Sequence, residues 1–137
     1  MTLSIQPERR YTVDEYLSLE GSSSEAKYEF REGHIVDMRQ AMAMAGGSIE
    51  HVIINTNVLA LINGQLKQGP CHVYGSDLRV RIPRKTLYTF PDATIICGKV
   101  ETETHPTAGQ TATNPTAIIE ILSPSTELYD RTRKFSL

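Results

Sequence analysis

Glu120 stands inside the apolar run of Ala117, Ile118, Ile119, Ile121 and Leu122. An ionised carboxylate in such a strand has little water around it and costs several kcal/mol if left unpaired. Without a partner its pKa would rise until it became neutral, whereas a bound metal ion or a nearby lysine or arginine would keep it charged. Acids in such settings gather at functional sites; an edge position that lets Glu120 reach water is the other reading. Asp77 and Asp92 are the next candidates. Residues 76–82 alternate, with Leu78, Val80 and Ile82 on one face and Asp77, Arg79 and Arg81 on the other, which predicts a half-buried strand. A second strand over 88–97, with Pro91 near its start, follows a turn at Arg84 and Lys85, and this hairpin register sets Asp77 opposite Asp92. Opposed carboxylates with Cβ atoms about 5 Å apart repel, and a divalent cation between them is one remedy. A bulge that shifts the register, or neutralisation by Arg79 or Arg81, is the alternative.

The remaining reactive residue types give weaker signals. Lys134 follows Asp130 by four positions, a spacing that by itself describes an exposed helical ion pair of about 0.3 kcal/mol. His51 stands near the start of a helix, where it can pack or solvate, and His34, His72 and His105 show no metal-ligand spacing. Cys71 and Cys97 form no CxxC pair, and without a secretion signal they read as reduced, small buried side chains. The net charge of −2 counts against a chain that grips nucleic acid mainly through long-range attraction. Local basic clusters at Arg79, Arg81, Arg84 and Lys85, and at Arg131, Arg133 and Lys134, are left as solvated surface or contact points. The N-terminus has no apolar signal region and no eighteen apolar residues run together, so the expected compartment is the cytoplasm.

The elements that must position these groups are legible in outline. Thr12 and Glu15 form a capping-box pattern that opens a helix ending at Gly21. Tyr28 and Phe30 alternate with Glu29 and Arg31, and Gly33 offers the turn of a hairpin, with Glu29 facing away from the aromatic residues. Ser48 caps a long helix to about Lys67 that is apolar on two sides and is expected to pack on both. Residues 98–116 read as a long surface loop, 117–122 as a central strand buried on both faces, and Thr126 onward as a helix carrying Leu128, Tyr129 and Phe135. The length of 137 residues suits one domain, of α+β class.

Taken together, several of these segments resemble one family. They are Tyr28-Glu29-Phe30 with Gly33, His51 opening a helix, the strand from Ser76 to Val80, and Pro91-Asp92. The most specific are the stretch from Ile119 through Glu120, Ser123 and Pro124 to Thr126, and Asp130-Arg131 with Lys134. The set is similar to the bacterial Uma family of restriction-endonuclease-like proteins, from about Tyr11 to the end. That resemblance implies a PD-(D/E)-x-K nuclease fold, a mixed sheet flanked by helices, and cleavage of DNA phosphodiesters with Mg²⁺, for which Mn²⁺ can substitute. It implies Asp92, Glu120 and Asp77 as metal ligands, with Lys134 as the catalytic lysine and Glu29 and Asp77 completing the pocket. Two positions after Glu120 the wider superfamily has lysine where this chain has Leu122, and Lys134 is the position matching a lysine moved to the next helix. The resemblance also implies a chain that lacks a C-terminal helix and strands, and uncovered sheet surface then implies a homodimer or larger assembly. The alternative is a non-catalytic nucleic-acid or protein-binding module on the same fold.

Overall fold

The computed structural model describes residues 5–22, 26–38 and 49–122. Helix α1, Val13–Gly21, starts where the sequence places it. Thr12 Oγ1 accepts the Glu15 N–H at 3.1 Å and Glu15 Oε1 accepts the Thr12 N–H at 3.0 Å, which satisfies two of the helix's otherwise unpaired donors. Strands β1 (Tyr28–Arg31) and β2 (His34–Asp37) form the expected hairpin. Glu32 and Gly33 make its turn, both at positive φ, and glycine takes that conformation without steric cost. Tyr16, Phe30 and Tyr88 pack their rings with centroids 5.2–6.2 Å apart, so α1 is fastened to the sheet by aromatic contact.

Next come α2 (Ile49–Leu66), β3 (Cys71–Tyr74), β4 (Val80–Ile82), a single 3-10 turn (Pro83–Lys85) and β5 (Leu87–Thr89). The chain continues through β6 (Ala93–Cys97), β7 (Thr102–His105), β8 (Gly109–Ala112) and β9 (Ala117–Ile119). Six strands form a mixed sheet in the order β2-β1-β5-β4-β8-β7, whose β4–β8 pair is parallel, and three form an antiparallel sheet in the order β3-β6-β9. The fold is therefore α+β, the class a restriction-endonuclease-like domain requires. No helix among the described residues is long and apolar enough to cross a membrane.

Several expectations are corrected. The hairpin register is as read, with Val80 opposite Thr89 and Ile82 opposite Leu87, but its ladder stops there. Pro91 is buried and has no N–H to offer, so the segment read as one strand over 88–97 is two strands in different sheets. Asp92 thus leaves the sheet that holds β4, and Asp77 falls in a turn closed by the Leu78 N–H to the Gly75 carbonyl. Arg79 is not surface charge: it is 6% exposed and donates to Thr111 Oγ1 and to the Ala108 carbonyl, both at 2.7 Å. Residues 98–116 contain the β7–β8 hairpin. Its threonines favour extended backbone, and its inward polar side chains are paired, with Glu103 accepting from Arg81 at 2.9 Å and from the Tyr88 hydroxyl. β9 is a half-exposed edge strand among the described residues, not a strand buried on both faces. Cys71 and Cys97 face each other across β3 and β6 and form a disulfide, because the antiparallel register brings together thiols 26 residues apart. Among the described residues, helix α2 packs on β3 through one face rather than on two sides.

Beneath α1 the Glu20 carboxylate accepts the Tyr28 N–H at 2.7 Å and lies 3.1 Å from the Tyr16 hydroxyl. Burial raises its pKa above the ordinary glutamate value and outweighs these hydrogen bonds and the charges of Arg79 and Lys27, which lower it. Between the ordinary and the raised value the unfolded carboxyl has released its proton while the folded one still holds it. Stability from this group is therefore present at low pH and lost as pH rises through that window. Glu20→Gln is neutral throughout, so melts from about pH 4 to about pH 7 should show the wild-type melting temperature falling relative to the variant as pH rises. A constant difference between the two would remove the assigned cause.

Candidate active site

The end of the three-stranded sheet gathers the acids that the sequence singles out. β6 pairs with β9 up to Ala93 opposite Ile119, so Asp92 and Glu120 are the next residues beyond the ladder on adjacent strands. Asp92 Oδ2 accepts the Ile121 N–H at 2.7 Å, which ties the acid to the backbone that follows Glu120. A backbone donor at that distance satisfies one carboxylate oxygen and restricts the side chain's rotation. Glu120 is half-buried. The first turn of α2 adds His51, whose Nε2 lies 3.2 Å from the Ile121 carbonyl and 3.6 Å from Asp92 Oδ2. The His51 and Asp92 side chains are only 12% and 16% exposed, so their interaction is weakly screened by water. Three elements, the start of α2, the entry to β6 and the exit of β9, therefore converge on one cluster.

The other expected site residues sit elsewhere. Glu29, in the middle of β1, is 1% exposed, and Thr89 Oγ1 donates to its carboxylate at 2.6 Å. It does face away from Tyr28 and Phe30, yet towards buried polar side chains rather than solvent. Thr89 ends β5 three residues before Asp92, so Glu29 steadies the segment that delivers Asp92. Asp77 does not stand opposite Asp92. It is almost fully exposed and takes a 2.7 Å ion pair from Lys27, whose hydrogen bond and then charge hold its carboxyl below the usual range. Lys134 lies outside the described residues.

Among the described residues no three His, Cys, Asp or Glu side chains come together as a metal site. Two acids at neighbouring strand ends nonetheless suit Mg²⁺, which commonly takes one or two protein carboxylates and completes its shell with water and substrate oxygens. Asp92 and Glu120 fit that donor set; the geometry does not add Asp77 to it. Thr89 is the residue sequence reasoning missed, and His51, noted at the start of the helix and in the family pattern, has no role in the site by sequence alone. His51 is one of several isolated histidines in the chain, and only the packing of α2 distinguishes it. Nothing in the local pattern around Thr89 reports that its hydroxyl meets a carboxylate 60 positions away.

The fold puts the chain in the restriction-endonuclease-like class of α+β proteins. The profile of the Uma2 family, described as "Putative restriction endonuclease", matches residues 13–137, and the chain belongs to that family. It is 35% identical over 131 residues to the uncharacterized protein slr1290 of Synechocystis sp., a match covering 96% of this chain and 63% of that protein. It is 30% identical over 124 residues to the uncharacterized protein sll1609 of the same organism, covering 90% and 65%. The chain thus spans less than two thirds of the length of these curated relatives. No solved structure matches it.

The Thr89 contact generates a stability prediction. Thr89→Val keeps the shape and removes a donor from a buried carboxylate, which costs about 1–3 kcal/mol when the group cannot recover water. Chemical denaturation should show that loss. Wild-type stability in the variant would mean that the Thr89 bond contributes nothing to holding Glu29.

Proposed function

We propose that this protein is a metal-dependent endonuclease that hydrolyses DNA phosphodiester bonds, with Asp92 and Glu120 as the acids that hold Mg²⁺. The observation that supports this reading is the register that makes Asp92 and Glu120 the next residues beyond the β6–β9 ladder, with Asp92 fixed by the Ile121 N–H. Membership of a family described as restriction endonuclease supports the reaction class. Mg²⁺ held by Asp92 and Glu120 would supply positive charge beside the phosphate. The chain's own residues do the rest. Asp92 and Glu120 orient oxygen ligands, His51 holds the Asp92 and Ile121 end of the site in place, and Glu29 with Thr89 braces the entry to β6.

Lys134 is assigned to orienting the attacking water and to balancing charge that develops on the phosphate. Asp77, paired with Lys27 in an exposed turn, is left as a peripheral group in this reading. The expected location is the cytoplasm, where DNA is available, and the expected assembly is a homodimer or larger oligomer. Mn²⁺ is the natural substitute for Mg²⁺, since both accept the same oxygen donors.

Calorimetric titration of Mn²⁺ and Mg²⁺ into the wild type and Glu120→Gln tests the assignment. The variant should lose metal affinity and plasmid cleavage while keeping, or slightly raising, its melting temperature in metal-free buffer, because repulsion between the two acids is relieved. Intact metal affinity with a lower melting temperature would make Glu120 a structural ion-pair partner. It would leave the chain as a binding module without nuclease chemistry.

Lys134→Ala supplies a separate check. A group acting on the transition state should cost about a hundredfold or more in cleavage rate, while an exposed pair with Asp130 contributes little to the melting temperature. Unchanged cleavage in an otherwise active protein returns Lys134 to that surface pair.

A further inference from the structure

The basic residues divide by what the fold does with them. Arg9 is paired with Glu15 at 2.6 Å, Lys27 with Asp77 at 2.7 Å and Arg81 with Glu103 at 2.9 Å, and Arg79 is buried against Thr111 and Ala108. Arg10, Arg31, Arg84 and Lys85 make no ion pair among the described residues, and Arg31 Nε meets no hydrogen-bond acceptor there. Of the basic run from Arg79 to Lys85, then, the fold takes the first two inward and leaves the last two outside.

The uncompensated cations come together although three separate segments supply them. Arg31 ends β1 and stands opposite Leu87, which opens β5 two residues after Lys85. The Glu32 N–H reaches the Thr86 carbonyl at 3.4 Å, so the turn after Arg31 touches the turn that carries Arg84 and Lys85. The Tyr11 N–H donates to the Gly33 carbonyl at 2.8 Å, and the Arg10 stem covers Gly33, 3.4–3.6 Å from where a Cβ on that glycine would stand. Glu32, and Glu8 before Arg9, are the acids beside them in the chain, so this end of the six-stranded sheet is positive on a chain whose net charge is −2. A run of like charges in sequence is usually a solvated face. Here the fold itself collects the charges and gives them no partner.

We infer that this end of the six-stranded sheet is a contact for the phosphate backbone of a DNA duplex, separate from the Asp92 and Glu120 cluster. The inference rests on the DNA substrate of the functional reading above and on none of its metal chemistry. Three features favour this partner. A polymer with a charge on every nucleotide can meet cations set on two turns and on the segment before α1 at once. Arginine, which supplies three of the cations, offers a planar fork of donors that matches phosphate oxygens. The third is reach. Lys85 lies seven residues before Asp92, at most about 23 Å of extended chain. One turn of duplex is about 34 Å long, so a duplex with a phosphate at the acids brings others within range of this end. The contact orients the duplex and carries no sequence information, because it meets phosphates and not base edges.

Fluorescence anisotropy of a fluorescein-labelled DNA duplex, titrated with the full chain in metal-free buffer at several salt concentrations, tests the contact without cleavage. Each phosphate neutralised contributes about 0.9 to the slope of log affinity against log salt. The double variant Arg84→Ala/Lys85→Ala should flatten the wild-type slope by about 1.8, and Arg10→Ala by about 0.9, with circular dichroism unchanged. Lys67→Ala, at an exposed lysine after α2, should leave the slope as it is. A wild type that does not bind the duplex overturns the inference, as does a slope shared by wild type and the double variant or one that Lys67→Ala flattens equally. Weakened binding of poly-glutamate with duplex affinity intact assigns the surface to an acidic protein and overturns it too. Because no metal is present, unchanged slopes leave Asp92 and Glu120 standing as metal ligands, and loss of metal binding in Glu120→Gln leaves this contact standing.

Discussion

Pro91 is the point on which the arrangement turns. A buried residue without an N–H cannot continue a ladder, so the chain must leave the six-stranded sheet after β5 and begin again as β6 in the three-stranded one. Everything proposed for the acids depends on that crossing. Upstream, Thr89 is held to the buried Glu29 carboxylate, and downstream Asp92 is held to the Ile121 N–H. The crossing is thus clamped on both sides by hydrogen bonds to carboxylates, and it delivers Asp92 to the end of a strand whose neighbour delivers Glu120.

The six-stranded sheet owes its packing to polar groups as much as to apolar ones. Tyr16, Glu20 and Tyr28 share hydrogen bonds under α1. Arg79 is buried against Thr111 and Ala108, and Arg81 and Tyr88 both bind Glu103. Apart from the Tyr16–Glu20 bond inside α1, these links join distant parts of the chain, so the β7–β8 hairpin and α1 are positioned by directional contacts. Leaving any of them unpaired in the interior costs more than the contact itself contributes. The aromatic cluster of Tyr16, Phe30 and Tyr88 supplies the non-directional part of the same junction.

Helix α2 connects the site to the surface. Its first turn places His51 against Asp92 and the Ile121 carbonyl, its inner side rests on β3, and its outer side is open and apolar. The disulfide between Cys71 and Cys97 closes the far end of the β3–β6 pair that supports this helix. A single element therefore bears on the geometry of the acids and on the sheet beneath it.

The sequence by itself determined whatever depends on near neighbours. The capping box at Thr12 and Glu15, the turn at Gly33, the extent of α2, the α+β class and the family follow from local preferences and short motifs. Even the hairpin register between β4 and β5 is set by a turn of known length. Asp92 and Glu120 were also legible as candidates, Glu120 because an acid in an apolar run is conspicuous in one dimension and Asp92 through the hairpin register and the Pro91-Asp92 motif. What only the tertiary structure decided is which distant groups meet. The Thr102–Ala112 hairpin escaped notice since its strands are threonine-rich and Glu103 and Thr111 on its inner side are polar and paired within the fold, so no apolar period marks them. Asp77 matched Asp92 in register but not in space, because a ladder can end before the residues that its arithmetic aligns. The disulfide, the burial of Arg79 and the approach of His51 to Asp92 all join residues 26 or more positions apart. Such pairings are set by sheet order and helix packing, and those minimise the free energy of the whole chain rather than of any segment in it.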